Sequence, residues 1–373
     1  MRIAFFGSSL VSAYWNGAAT YYRGIIKALH AIGHEITFFE PDAYSRQQHR
    51  DIEDPTWAKV VVYPANGPEG LYRALEEAES ADLIVKASGV GVFDQFLEKA
   101  VVEIKRPNSI IAFWDVDAPA TLDRVDQDPE DPFGDLIPRY DLILTYGGGD
   151  PVVQAYKRLG AQLCVPVYNA VDPATHFPVA PDPRFESDLG FLGNRLPDRE
   201  SRVEEFFLNA ARLLPESQFM LGGNGWADKM LPSNVRYAGH VYTADHNAFN
   251  CSSKAVLNVS RDSMARYGFS PATRIFEAAG AAACMITDAW EGIELFLEPG
   301  AEVLVAKNGD DVAQLLKATS GRQARQIGWK AQARVLAEHT YAHRARQVSS
   351  LLEGFLDTPP LRRTSKITAE ATR

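Results

Sequence analysis

The chain has 373 residues, of which 46% are hydrophobic and 23% are charged, a length and composition typical of a globular protein with two or three domains. Acidic residues outnumber basic ones by 48 to 38, so the formal net charge is −10. Proteins that bind nucleic acid or anionic membranes mainly through charge carry the opposite balance, so both kinds of partner are disfavoured.

The first half of the sequence alternates short apolar strands with amphipathic helices. Apolar side chains between Tyr22 and Ile32 share one helical face, and Gly33 is placed to end that helix. Strands are predicted over residues 3–6, 35–39, 60–63, 83–87, 110–114, 142–146 and 163–167. Strands separated by helices require parallel crossovers, so the pattern predicts an α/β fold with a doubly wound sheet.

The same alternation returns after a stretch with four prolines, residues 169–186. Strands are predicted over 189–192, 218–221, 235–237, 255–259, 284–287 and 302–305. Helices are predicted over 200–214, 272–280, 292–297, 311–318, 322–339 and 341–355. The fold class is therefore α/β, with two Rossmann-like doubly wound domains facing an interdomain cleft, where ligands are expected to bind.

These segments predict the domain boundaries. We expect an N-terminal Rossmann-like domain at 1–172, a proline-rich linker at 173–187, a C-terminal Rossmann-like domain at 188–340, and a helix at 341–356 that packs back on the first domain. The polar, proline-containing tail at 357–373 is expected to be disordered.

The cysteines and the hydropathy of the sequence indicate where in the cell the protein is expected to be. Cys164, Cys251 and Cys284 lie far apart and form neither a disulfide framework nor a zinc pattern, so buried free thiols are expected. The apolar run at residues 1–7 is too short for a signal peptide, and no stretch reaches the roughly 18–20 apolar residues that span a bilayer. The sequence predicts a cytoplasmic protein without stable membrane insertion.

The most informative segment is residues 268–280. Ser270 is a favourable N-cap and Pro271 suits the first helical position, so a helix is expected to begin there with its N–H groups available to a diphosphate. Arg274 and Glu277, three residues apart, share a face near that end. Arg274 is suited to neutralise phosphate and Glu277 to accept from ribose hydroxyls. The alternative is an intrahelical salt bridge on a solvated surface.

Three other glycine-containing segments of the second half are candidate ligand contacts. Gly193 and Arg195 follow its first strand and precede a helix that carries Arg199, an arrangement suited to phosphate. Asn224 lies in a glycine-rich strand end, and His240 follows a short strand. An ordinary strand–helix connection, a flexible turn and a structural histidine are the respective alternatives.

Glycine and polar residues after the first strand are candidate acceptor contacts. They follow the carboxyl end of a strand, where α/β folds bind ligands, but lack the full G-x-G-x-x-G pattern of dinucleotide sites. Helix capping and surface solvation are the alternative. The candidates are Gly7, Ser8, Ser9, Asn16, Gly17, Thr20 and Arg23.

Asp115 and Asp117 follow the strand predicted at 110–114. A D-x-D pair at a strand end is able to hold a divalent metal on a diphosphate, but no further carboxylate or histidine gathers beside it in sequence. We therefore expect no metal there. An acceptor-binding or acid–base role, or turn formation before Pro119, remains open.

Taken together, these motifs resemble the group-1 glycosyltransferases of the CgeB-like (spore-maturation) type. The segments that carry the resemblance are 270–280, 286–288 and 294–300, the opening residues 6–9, 16–17, 22–24 and 33–35, and residues 115–122 and 171–173. It extends from residue 1 to about residue 345. In one respect the sequence departs from the wider group: the earlier glutamate of its E-x7-E pattern falls at Phe269, which leaves the donor sugar and the stereochemical outcome open.

The resemblance implies a GT-B fold, with the nucleotide-sugar donor on the C-terminal domain and the acceptor on the N-terminal one. It implies a metal-independent reaction in which helix dipoles and basic side chains stabilise the leaving diphosphate. Glu277 matches the ribose-binding glutamate. Arg195, Arg199 and Arg274, with Ser270, are predicted to bind the diphosphate, and Asn224 and His240 to line the donor pocket.

The sequence is therefore interpreted as a glycosyltransferase. It is predicted to move a sugar from a nucleoside diphosphate sugar, with UDP-sugar favoured, to a hydroxyl of a small molecule, glycan or protein, without a cofactor. Asp115 or Asp117 is the candidate base. Alternatives are a sugar-nucleotide epimerase, which needs carboxylates facing the sugar from both domains, a phosphorylase, which needs a cleft lysine for pyridoxal phosphate, and a non-catalytic binding protein.

Overall fold

The structure, a computed structural model, describes residues 1–356, and the tail predicted to be disordered lies outside the described residues. The described chain divides into two units. One comprises residues 1–168 and the helix that begins at Tyr341, and the other comprises residues 169–340.

The first domain is built on a parallel sheet with a Rossmann strand order. In the described residues its strands run β3-β2-β1-β4-β5-β6-β7. They are β1 (Arg2–Phe6), β2 (Glu35–Asp42), β3 (Lys59–Pro64), β4 (Leu83–Ala87), β5 (Ile110–Asp115), β6 (Leu142–Thr145) and β7 (Cys164–Pro166). The crossover helices are α1 (Ala19–Ala31), α2 (Glu69–Ala78), α3 (Asp94–Glu103), α4 (Ala118–Gln127), α5 (Pro132–Leu136) and α6 (Gly149–Arg158), with 3-10 turns at Arg46–His49 and Ile137–Arg139.

Aromatic side chains fill the centre of this domain. The parallel register pairs Phe5 of β1 with Phe38 of β2, and their rings stack with centroids 5.4 Å apart. Tyr22 of α1 meets Phe5 edge-on at 5.6 Å, and Trp114 of β5 lies 5.7 Å away on the same core. This packing fixes α1 against the sheet, and with it the loop that joins β1 to α1.

The second domain repeats the topology with six strands in the described residues, ordered β10-β9-β8-β11-β12-β13. They are β8 (Ser187–Leu192), β9 (Phe219–Gly222), β10 (Val235–Gly239), β11 (Ser253–Asn258), β12 (Met285–Asp288) and β13 (Leu304–Ala306). The helices are α7 (Pro197–Val203), α8 (Asn209–Leu213), α9 (His246–Ser252), α10 (Asp262–Tyr267), α11 (Thr273–Gly280), α12 (Gly309–Ala318) and α13 (Gly321–Glu338), with 3-10 turns at Thr243–Asp245 and Ile293–Leu295. The prediction of two doubly wound α/β domains is confirmed.

The last described helix, α14 (Tyr341–Leu356), belongs to the first domain. The Tyr341 ring packs edge-on against Tyr21 at 5.9 Å. Farther along, His34 Nε2 lies 3.3 Å from Ser349 Oγ, and Arg344 Nε donates to the carbonyl of Tyr168 at 3.1 Å. The first domain is therefore discontinuous in sequence, because its final helix follows the whole second domain.

The helix predicted over 200–214 differs from the structure in one respect. A π-helical segment, Glu204–Leu208, separates α7 from α8. A Cβ at Gly309 would lie 2.3 Å from the carbonyl oxygen of Glu205, so the widened turn packs directly on the start of α12. The apolar periodicity alone does not show this insertion, because a π turn displaces the face by a single residue.

The remaining observations concern thiols and hydropathy. All three cysteines are free thiols, with Cys164 and Cys284 buried and Cys251 partly buried. Within residues 1–356, no helix combines the length and the hydropathy needed to cross a bilayer.

Candidate functional site

The candidate donor site lies where the second sheet reverses its winding. The chain proceeds outward from β8 through β9 to β10 and then returns to the other side of β8 as β11. In open α/β sheets, ligands bind beyond the carboxyl ends of the strands at such a switch point. Here those ends are Leu192 of β8 and Asn258 of β11.

Arg274 joins these two strand ends. Its Nε donates to the Leu192 carbonyl at 2.6 Å, its Nη1 donates to Asn258 Oδ1 at 2.7 Å, and its guanidinium lies 5.2 Å from the centroid of the Phe191 ring. Burial lowers the pKa of Arg274, while Glu277 and Asp288 act in the opposite direction. The Arg274 guanidinium is therefore held at the switch point, and its Nη2 takes part in neither of these two hydrogen bonds.

A second guanidinium meets Arg274 at the backbone of Gly193. A Cβ placed on Gly193 would lie 2.8 Å from Arg199 Nη1 and 2.8 Å from Arg274 Nη2. Two cations thus converge on a point that only a residue without a side chain leaves open. Guanidinium groups bind phosphate oxygens through paired N–H donors, so this arrangement is suited to a diphosphate.

Arg195 is not part of that pair. Its Nη2 donates to Glu200 Oε1 at 2.7 Å, and its Nη1 contacts the Asp228 carboxylate at 2.9 and 3.0 Å. The bonds from Arg195 and Lys229 lower the pKa of Glu200 to about 2. The Arg195 charge is balanced by two protein carboxylates, which the sequence-based assignment to the diphosphate did not anticipate.

The loops that carry Gly193, Asn224 and His240 are joined by hydrogen bonds. The Asn224 amide N–H donates to Asn194 Oδ1 at 2.9 Å, and Asn224 Nδ2 lies 3.2 Å from His240 Nδ1. Trp226 Nε1 donates to the Gly193 carbonyl at 2.8 Å. The strand ends of β8, β9 and β10 therefore bring these three predicted residues together in one wall.

Helix α11 begins later than predicted. It starts at Thr273 with Ala272 as N-cap, and Ser270 Oγ donates to the Gly268 carbonyl at 2.8 Å, so Ser270 does not cap the helix. A hydroxyl two residues from a carbonyl in a turn competes successfully with capping. Asn169 Nδ2 fixes the approach to the helix by donating to the Pro271 carbonyl at 2.9 Å.

Glu277, one turn after Arg274, lies in a cluster with two histidines. One ligand atom each from His176, His246 and Glu277 lies within 4.8 Å of the others. Burial lowers the pKa of His246, Glu277 raises it, and His176 lowers it further. Neither histidine was predicted from the sequence, because 70 residues of chain with no shared periodicity separate them.

Most of the predicted acceptor residues hold the loop between β1 and α1 together. Ser8 Oγ donates to Asn16 Oδ1 at 3.0 Å, and Ser9 Oγ donates to the buried Glu40 at 2.9 Å. Arg23 makes two bonds to Asp51, of 3.0 and 2.7 Å. These polar groups are used within the protein.

The remaining predicted acceptor residues are two glycines and Thr20. A Cβ on Gly7 would lie 2.4 Å from the Phe38 ring, so this glycine permits the packing of the sheet. Gly17 is exposed with open space around it, and Thr20 is half-buried in the first turn of α1. Gly17 and Thr20 are therefore the predicted acceptor residues with surface accessible to a ligand.

Asp115 and Asp117 have different surroundings. Asp115 is completely buried and accepts bonds from Thr121 Oγ1 at 3.0 Å, from the Asp117 amide at 3.0 Å and from the Tyr156 hydroxyl. Burial raises the pKa of Asp115, and these donors partly offset that effect. Asp117 is only partly buried. The buried carboxylate therefore organises the end of β5, and Asp117 is the member of the pair that a ligand is able to reach.

Comparison with known proteins adds a family match and several similar folds. Residues 199–350, less than half of the chain, match the model of a family described as Glycosyl transferase-like. No curated protein matches the sequence. Sucrose-phosphate synthase from Thermosynechococcus elongatus is 15% identical, with a TM-score of 0.69 over 95% of this chain and 99% of that one. HepE from Anabaena, solved with UDP and glucose, is 14% identical, with a TM-score of 0.67 over 95% and 99% of the two chains. An alpha-glucosyltransferase solved with UDP is 12% identical, with a TM-score of 0.69 over 95% and 100%.

The comparisons define the fold and the class that part of the chain resembles. The chain has the GT-B fold, as the sequence predicted, and residues 199–350 match a family described as Glycosyl transferase-like. More particularly, the matched segment is that of the group-1-like glycosyltransferases, and Arg199, Arg274 and Glu277 all lie inside it.

Proposed function

We propose that this enzyme transfers a sugar from a nucleoside diphosphate sugar, with a UDP-sugar favoured, to an acceptor hydroxyl. The observation that carries the proposal is the convergence of Arg199 and Arg274 on Gly193 at the switch point of the second sheet. The motif pattern around α11 further supports assignment to the CgeB-like branch of the class.

The two guanidiniums have a chemical role in bond cleavage. When the bond between the anomeric carbon and the diphosphate oxygen breaks, negative charge grows on the leaving oxygens. Cations already held in place stabilise this charge without reorganisation during the reaction. Arg274 is held in this way by Leu192 and Asn258, and Arg199 supplies the second charge.

The nucleoside is proposed to lie along the wall formed by α11 and the ends of β9 and β10. Glu277 follows Arg274 by one helical turn, a spacing that suits a ribose next to a diphosphate. Its carboxylate accepts hydrogen bonds from the two ribose hydroxyls. Asn224 and His240, held 3.2 Å apart, supply polar edges for the base.

On the acceptor side, Asp117 is proposed as the base that removes the proton from the attacking hydroxyl. Asp115 fixes the strand end before it and has its oxygens engaged by protein donors. Gly17 and Thr20 are proposed contacts of the acceptor. The charge of the leaving group is matched by arginines, so the transfer itself is proposed to need neither a metal nor a cofactor, and excess chelator is expected not to lower turnover.

The decisive experiment separates the ribose contact from the diphosphate contact by calorimetry on chelator-treated protein. UDP is expected to bind wild-type protein at least tenfold more tightly than 2′-deoxy-UDP, whereas Glu277→Gln is expected to bind the two ligands about equally, since one charge-assisted hydrogen bond is worth about 1.5–3 kcal/mol. Arg199→Ala is expected to weaken UDP but to leave uridine unchanged.

Two substitutions in the same domain serve as controls. Arg212→Ala and Glu216→Ala each remove one exposed charge away from the switch point and are expected to leave UDP binding at the wild-type value. Equal preference for the two nucleotides in wild-type protein would refute the ribose contact. Unchanged UDP affinity in Arg199→Ala would refute the diphosphate contact.

A further inference from the structure

The cluster formed by His176, His246 and Glu277 joins three separate segments of the second domain. His176 lies in the proline-rich stretch, His246 begins α9 and Glu277 lies in the middle of α11. One ring nitrogen of each histidine and one carboxylate oxygen lie within 4.8 Å of one another. Two imidazoles and a carboxylate are a donor set of catalytic zinc sites, which leave a further coordination position open.

Both histidines present a nitrogen that the protein leaves unsatisfied. Within the described residues, His176 Nε2 and His246 Nδ1 are buried without a hydrogen-bond partner. His176 as a whole is only 4% exposed. Buried polar atoms are normally paired, so an unpaired ring nitrogen on each of two histidines that lie in a cluster of metal-ligand residues requires an explanation. A bound cation supplies one.

The backbone around the cluster is held in place from both sides. Asn247, next to His246, donates through Nδ2 to the Thr175 carbonyl at 2.8 Å and accepts from the Phe177 amide at 3.4 Å. These two bonds flank His176. On the other side, a Cβ on Gly280 would lie 3.0 Å from the His176 carbonyl oxygen, so α11 packs directly on this segment. Such support fixes the ligand positions before an ion arrives.

A tetrahedral ion needs its ligand atoms closer together than the 4.8 Å limit of this cluster. Bonds of about 2.0–2.2 Å place neighbouring ligand atoms about 3.4 Å apart, so ligand atoms that lie within 4.8 Å of one another approach by at most about 1.4 Å when an ion binds.

We propose that His176, His246 and Glu277 bind one divalent transition-metal ion of the zinc type. Because the proposed function assigns Glu277 to the ribose, the ion and the nucleotide compete for its carboxylate. The ion is thus an inhibitor of donor binding and has no part in the transfer reaction. The competition between ion and nucleotide rests on the proposed function, whereas the existence of the metal site does not.

The test uses the full chain after chelator treatment. Zinc is titrated by calorimetry without nucleotide, and Co²⁺ is titrated with detection of its visible ligand-field absorption. One ion per chain is expected, with a cobalt spectrum of four- or five-coordinate type. His176→Gln and His246→Gln are each expected to weaken zinc at least tenfold, a loss of about 1.4 kcal/mol or more.

His30→Gln is the matched control, since His30 is exposed on α1 of the other domain, and it is expected to bind zinc as the wild type does. Thermal unfolding without metal shows whether each variant is folded, and two independent ligand variants keep the test valid if one is not. An identical isotherm in wild type and in the folded ligand variants, or no cobalt absorption, would overturn the site.

Competition is measured separately. The diphosphate of UDP itself binds zinc, so affinities are expressed against the concentration of free zinc. Saturating UDP is then expected to weaken zinc binding to the protein at least tenfold, and simultaneous binding without mutual weakening would overturn the competition. Since donor binding is measured in metal-free protein and zinc binding without nucleotide, failure of the proposed function and failure of the metal site give different results.

Discussion

At the scale of single residues, Gly193 controls how closely the two arginines approach one another. Gly193→Ala would introduce a Cβ 2.8 Å from each guanidinium and 3.1 Å from the Phe191 ring. The guanidiniums are the ends of flexible side chains, so we expect them to move while the fold persists. UDP affinity should fall about tenfold, or about 1.4 kcal/mol, with little change in the unfolding temperature.

Gly321→Ala is the control for this substitution. Its Cβ meets only Arg325 Nη1, at 3.6 Å, at the first residue of α13. We expect UDP binding to remain at the wild-type value. Calorimetry and thermal unfolding of both variants check the prediction, and undiminished binding in Gly193→Ala would contradict it.

Asp115 gives a pH dependence of stability. Burial raises its pKa in the folded protein, so the folded state holds this proton more strongly than the unfolded chain does. The resulting stabilisation is therefore present below the ordinary aspartate pKa of about 3.9 and is lost as the pH rises through the raised value.

Asp115→Asn removes the titration. Urea unfolding between acidic and neutral pH should show the wild type losing free energy of unfolding relative to the variant as the pH rises. A constant difference across that range is the contrary outcome.

The site residues that could be predicted from the sequence are those related by a local spacing. Arg274 and Glu277 were identified because a spacing of three places both side chains on one face of a single helix. Arg195 was assigned to phosphate because it follows a strand and a glycine and precedes a helix with further arginines. Its pairing with Asp228, 33 residues away, leaves no local pattern in the sequence. The pairing of Arg199 with Arg274 at Gly193, and the approach of His176 to His246, depend on tertiary structure in the same way.

At the scale of elements, the contact between α1 and α14 depends on a glycine. A Cβ on Gly24 would lie 2.1 Å from the Tyr341 ring. Gly24→Ala gains helix propensity but forces a rigid aromatic side chain out of its place, and overpacking of this kind costs about 1–3 kcal/mol. We expect a net loss of stability in the first domain, measured by urea unfolding.

Gly354→Ala, on α14 itself, has open space at its Cβ and is expected to cause no loss. The double variant Gly24→Ala/Tyr341→Ala should lose less free energy of unfolding than the two single variants lose together, because removal of the Tyr341 ring removes the clash. Strict additivity would show that the contact does not limit stability.

The sequence predicted the elements well where every residue of a strand is buried. It misplaced a helix end where a single side-chain hydrogen bond determines the end. The buried strands have continuous apolar sequences, so β1, β4 and β5 were placed to within a residue or two. The N-cap of α11 was placed two residues too early, at Ser270, whose hydroxyl bonds to the Gly268 carbonyl. The π segment before α8 packs on Gly309, about a hundred residues farther along the chain, and no local sequence pattern indicates this contact.

At the scale of the whole molecule, the second domain is inserted in the first. Its two ends are adjacent, since Val171 pairs with Thr340 and the Val171 amide donates to the His339 carbonyl at 2.9 Å. Deletion of residues from Tyr341 onward should therefore damage the first domain, which loses α14, and leave the second domain folded. Hydrogen exchange should show lost protection in α1 and retained protection in β8 and β11. Equal loss in both domains would contradict this.

The discontinuity of the first domain also has a consequence during synthesis on the ribosome. The surface of α1 that receives Tyr341 is made early, but its covering helix emerges only after residues 169–340 have been added, on the order of ten to thirty seconds later at about 5–20 residues per second. Throughout that interval the face of α1 at Gly24 and Tyr21 lacks the helix that covers it in the complete chain. The domain that is translated first is the one completed last.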